Sequence, residues 1–135
     1  MESADRMLRF QTQPAIAAVA ARFSLPYAPE MQDWAWEVAD PGRLDEFLQA
    51  YDHATLPDDE RFVLMEIILQ SCEDLETPLS DEPRWRRVLA LLARRFTLHA
   101  SSVRYWSGGS GPGQDRWRVS SDLLQLIERQ GSSHE

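Results

Sequence analysis

The chain has 135 residues, 43% apolar and 27% charged, the make-up of one soluble globular domain with enough material for a core. Its net charge is −8, and all 14 basic residues are arginine. The absence of lysine excludes a Walker A loop, a protein-kinase lysine and Schiff-base or pyridoxal chemistry, and a single cysteine excludes an internal disulfide or a thiolate cluster.

The opening residues, MESADR, are acidic where a secretory signal would be basic and then apolar. The longest apolar run, Ala15 to Ala21, has seven residues, whereas a membrane span needs about 18 to 20. A cytoplasmic location is expected. Thr12 to Phe23 reads as a helix with proline in its first turn and with Ile16, Val19, Ala20 and Phe23 on one face. Ser24-Leu-Pro-Tyr-Ala-Pro29 breaks it. Met31 to Asp40 is compatible with a short helix or an irregular segment, and helix is the expectation. Asp40-Pro-Gly-Arg is a start signal, with Asp40 as N-cap, for a helix whose inner stripe is Leu44, Phe47, Leu48 and Tyr51.

The segment DDERFVLMEIILQSCED follows at residues 58–74. At about 100° per residue, Leu64, Met65, Ile68, Leu69, Cys72 and Leu75 cover one broad side, widened by Phe62 and Ile67. Glu66, Gln70, Glu73 and Asp74 leave a narrow polar strip, so residues 58–75 are predicted to be a central, buried helix. Asp58 is its expected N-cap, and Asp58, Asp59 and Glu60 suit the positive end of its macrodipole. Ser80 to Phe96 is the next helix, opened by capping residues and Pro83, with Trp85, Val88, Leu89, Leu92 and Phe96 inward and Arg84, Arg87, Arg94 and Arg95 on a neighbouring face.

Beyond Phe96 two readings fit. Ser102–Ser107 and Asp115–Ser120 are rich in aromatic and β-branched residues, which suits a short β-hairpin near 102–120; a helix from Thr97 to Trp106 suits the same residues. The glycine-rich stretch 107–114 is expected to be a flexible loop, since it lacks the spacing and the lysine of a phosphate cradle. Ser120 or Ser121 would cap a last helix through Leu123, Leu124, Leu126 and Ile127, and residues 130–135 read as a frayed tail. The expected fold is mainly α, one small helical domain around the helix at 58–75.

Catalytic chemistry finds no pattern to rest on. Three histidines, at 53, 99 and 134, match neither a zinc motif nor a catalytic signature, so no metal and no cofactor are expected. Cys72 falls on the apolar side of its helix, where thiols are inert. Charge is the informative feature. Residues 56–82 carry nine carboxylates against Arg61 alone, net −8, and residues 84–118 carry eight arginines against Asp115, net +7. Two adjacent helices that neutralise each other would explain both blocks; otherwise one block faces a partner of opposite charge. Arginines interleaved with Trp85, Tyr105, Trp106 and Trp117 would suit nucleic acid, but the net charge of −8 opposes it.

In general character, an acidic, mostly helical, tryptophan-rich chain with no catalytic signature, the sequence resembles small bacterial proteins of unassigned function, some of them toxin-immunity proteins. The resemblance implies a non-enzymatic protein-binding module. Taken with the charge pattern, the expected partner is a basic protein engaged through Asp58, Asp59, Glu60, Glu73, Asp74 and Glu76, with Arg84, Arg87, Arg94 and Arg95 as the alternative partner face. The competing expectation is an enzyme or small-ligand binder with a cleft near His53 and His99.

Overall fold

The computed structural model describes residues 11–31, 33–53, 55–108 and 117–133. Among them are seven α-helices and no strand: α1 (Gln13–Phe23), α2 (Trp34–Val38), α3 (Leu44–Tyr51), α4 (Asp58–Glu73), α5 (Pro83–Arg94), α6 (Phe96–Trp106) and α7 (Ser120–Ser133). Short 3-10 turns at Pro41–Arg43 and Leu79–Asp81 lead towards α3 and α5. None of these helices is long and apolar enough to cross a membrane. The helices gather into two compact units, one of Phe10–Asp74 and one containing Leu75–Glu135.

In the Phe10–Asp74 unit, α1, α2 and α3 all pack on α4. Thr12 caps α1 by accepting from the Ala15 amide at 3.3 Å, and Ser24 ends it in the left-handed region, φ 56°, just before Pro26. The inner face of α1 buries Ile16, Val19, Ala20 and Phe23, and the Phe23 ring meets Phe47 of α3 edge-on at 5.2 Å. Asp40 accepts from the Gly42 amide at 2.9 Å, as its sequence context predicts, and the following turn runs into α3 with Leu44, Phe47, Leu48 and Tyr51 buried.

The central helix is buried from Phe62 through Met65 and from Ile67 through Cys72. Three neighbours surround it, so burial reaches Gln70, which the periodicity places on the polar strip, and takes in Val63 and Ser71 as well. Pro57, not Asp58, occupies the N-cap, and Asp58 is the first helical residue. Proline supplies the extended backbone there, ψ 155°, while the three acids fill the first turn beside the macrodipole's positive end.

In the other unit α5 packs on α6 and α7, and α6 packs on α7. α5 buries Trp85, Val88, Leu91 and Leu92; Leu89 and Phe96 are only partly covered, and Leu91 takes an inward position the sequence reading had not given it. The Trp85 indole is 1% exposed, and its N–H donates to Asp122 Oδ2 at 2.8 Å, which ties α5 to α7. The hairpin near 102–120 is not formed. Residues 96–106 are helix, and His99, Ala100, Ser102, Val103 and Trp106 are buried at helical spacing. Packing of that face outweighs the strand preference of its aromatic and β-branched residues. Gly108, at φ 97°, follows the helix in a conformation that favours glycine. Residues 109–116 of the glycine-rich stretch lie outside the described residues. α7 buries Leu123 and Leu126 and continues past Gln130 to Ser133.

Candidate functional site

Asp58, Asp59 and Glu60 form the first turn of α4, with Asp58 and Asp59 exposed and Glu60 half-buried. Glu60 lies 3.9 Å from Arg22 of α1, and Asp58 lies 3.9 Å from Arg61. Glu73 and Asp74 lie at the other end of α4, 15 residues on, a distance of roughly 22 Å along the axis. Asp74 accepts from the Gln70 amide side chain at 3.1 Å. The backbone N–H of Asp40 donates to Ser71 at 3.0 Å, so the connection between α2 and α3 is fastened near this same end. Glu76 belongs to the other unit. Within the α1–α4 unit the acids therefore flank both ends of the central helix, and one helix length divides Asp58, Asp59 and Glu60 from Glu73 and Asp74.

Charge follows the division into units. Residues 10–74 hold thirteen carboxylates against three arginines, net −10, and residues 75–135 hold nine arginines against seven carboxylates, net +2. The acidic character of the whole chain is that of its α1–α4 unit.

That unit also displays a feature sequence periodicity missed. α2 is only five residues long, too short to persist by itself, and is held by burial of Trp34, Ala35 and Val38. The Trp34 indole N–H donates to the Pro26 carbonyl at 2.7 Å, and the Tyr27 ring meets Trp34 edge-on. Trp36, two residues on, is 65% exposed. Asp33 and Glu37 are exposed as well, three residues before it and one after. Asp33 is the N-cap, in the left-handed region at φ 50°, and Glu37 is the next residue in the helix; within α2 the available signal was that Trp36 falls on the side away from Trp34 and Val38.

Of the arginines proposed as an alternative face, Arg84 donates to Glu82 at 2.7 Å, whereas Arg87, Arg94 and Arg95 are exposed. Arg95 stands at the junction of α5 and α6. The hydrogen bond from Arg84 holds the Glu82 carboxyl below its ordinary range, and a hydrogen bond from the Thr77 hydroxyl, 3.2 Å, acts in the same direction. A carboxylate with a lowered folded-state pKa contributes stability that is complete above its unfolded pKa and is lost as pH falls through the folded value. Glu82→Gln is therefore expected to lower stability at about pH 7 and to approach wild type as pH falls through the carboxyl's lowered folded-state value, below which both side chains are neutral. Denaturation midpoints followed from about pH 7 down through the acid range check this; a gap that stays the same size throughout would leave the pairing without a stabilising role.

The aromatic residues that suggested nucleic acid divide. Trp85 is buried and engaged by Asp122, while Tyr105, Trp106 and Trp117 form a cluster with centroid separations of 5.8, 5.1 and 4.8 Å. Tyr105, 62% exposed, is its outward member. Ser120 closes the cluster's inner side: its hydroxyl donates to the Trp106 carbonyl at 2.7 Å and accepts from the Trp117 amide at 3.0 Å.

His53 and His99 belong to different units. His53 is exposed after α3, its Nδ1 2.9 Å from the Thr55 hydroxyl, whereas His99 is fully buried in α6. Cys72 is fully buried. Among the described residues no group of three or more His, Cys, Asp or Glu is placed to hold a metal ion. No family model, curated protein or solved structure matches the chain.

Proposed function

We propose that the chain is a non-enzymatic protein-binding module that engages a basic protein through its acidic α1–α4 unit, as an immunity-type inhibitor in the cytoplasm of a bacterium would. The observation that carries this reading is the segregation of charge, net −10 on residues 10–74 against +2 on residues 75–135. A field of one sign on one compact unit steers a partner of opposite sign and suppresses wrong encounters. The acids stand on a rigid support, because α4 is buried along almost its whole length while Asp58 and Asp59 remain exposed at its first turn.

The experiment is isolation of the bound protein from the native host, followed by association kinetics across ionic strength. Association is expected to slow steeply with added salt while dissociation changes little. Changing Asp58, Asp59 and Glu60 together to serine is expected to slow association about tenfold at low salt. An acidic partner, or an unchanged rate in the triple variant, would move the interface to the exposed arginines Arg87, Arg94 and Arg95 and the outward ring of Tyr105.

A further inference from the structure

Trp36 presents an indole that is 65% exposed, on a helix whose position is fixed by burial of Trp34, Ala35 and Val38. Two exposed carboxylates stand near it in the chain, Asp33 at the helix N-cap and Glu37 at the next position. The chemistry complementary to this arrangement is a guanidinium. Its plane stacks on an aromatic face, its forked N–H groups suit nearby carboxylates, and it sheds water more readily than an ammonium. The surrounding unit, at −10, attracts such a cation. Exposed tryptophans that become covered are also where binding energy concentrates in protein interfaces.

We propose that the exposed indole of Trp36 is the anchor point for an arginine side chain of a basic protein partner, held by stacking on the indole within the negative field of this unit. The proposal rests on the reading that the acidic unit binds basic proteins, and it adds a site, a residue type and a division of labour. The acids at the first turn of α4 govern how fast the partner arrives; Trp36 governs how long it stays.

The probes are nona-arginine and nona-lysine peptides, equal in charge, titrated calorimetrically into the full chain at low salt. Wild type is expected to bind nona-arginine more tightly than nona-lysine. Trp36→Ala is expected to lose about three- to tenfold in nona-arginine affinity and to bind the two peptides alike, with Trp36→Phe in between. Because the side chain is exposed, thermal denaturation of both variants should match wild type, which separates loss of the site from loss of the fold. Asp58→Ser with Asp59→Ser should weaken both peptides equally and keep the preference for arginine. Binding of both peptides with no effect of Trp36→Ala, or with no arginine preference, overturns the anchor and leaves the acidic reading standing. Failure of wild type to bind either peptide at low salt overturns both.

Discussion

Ile68→Ala is expected to lower stability by about 2 to 5 kcal/mol, seen as a fall in the urea midpoint at unchanged slope. Ile68 is fully buried at the middle of α4, the helix on which α1, α2 and α3 all pack. Truncation removes apolar contacts and leaves a cavity that close-packed neighbours only partly fill. Ile68→Val should cost about 0.5 to 1.5 kcal/mol, because one methylene is lost rather than three carbons. A midpoint for Ile68→Ala that matches wild type would mean that this face of α4 packs on nothing.

The same residues show why the central helix is legible in the sequence alone. Apolar side chains from Phe62 to Cys72 recur over most of a helical circumference, and only burial on several sides accommodates that pattern. Asp40-Pro-Gly was equally direct, since a carboxylate followed by proline leaves few alternatives to a capped turn. Elsewhere local preference pointed away from the outcome. Val103, Tyr105 and Trp106 favour strand as residues, yet α6 forms because His99, Val103 and Trp106 share an inner face. Which preference prevails is decided by neighbours distant in sequence.

The acids were visible as a charge block, but their separation by the length of α4 follows only once that helix is known to be continuous. Trp36 was harder to read. Trp34 and Trp36 are identical in type and two residues apart, and what distinguishes them is that the Trp34 indole finds the Pro26 carbonyl across eight residues while Trp36 faces outward. Hydropathy scores them alike; only the packing of α2 on α4 tells the anchor inside from the surface outside.

Arg61 is the other residue whose role its type conceals. Within the acidic block it reads as one surface cation among carboxylates, yet it is 4% exposed. Its guanidinium donates to the backbone carbonyls of Tyr51, of Leu56 at 3.0 Å and of His53 at 3.3 Å, and it stands over the Tyr51 ring at 5.0 Å. Three carbonyls of one connection, from the end of α3 to the residue before Pro57, are thus gathered by a single side chain. Arg61→Met, which keeps much of the apolar stem and removes the side-chain donors, is expected to cost about 2 to 4 kcal/mol, because the carbonyls of the buried residues Tyr51 and Leu56 lose charge-assisted partners. Arg61→Lys should recover only part of this, since an ammonium cannot span three acceptors as the planar fork does. The connection it fastens leads directly into Asp58, Asp59 and Glu60. The variant should therefore show its largest change in amide hydrogen exchange over residues 52–60 rather than in the middle of α4. If Arg61→Met is as stable as wild type and residues 52–60 exchange no faster, the carbonyls are satisfied without the guanidinium, and the acidic turn does not depend on Arg61 for its position.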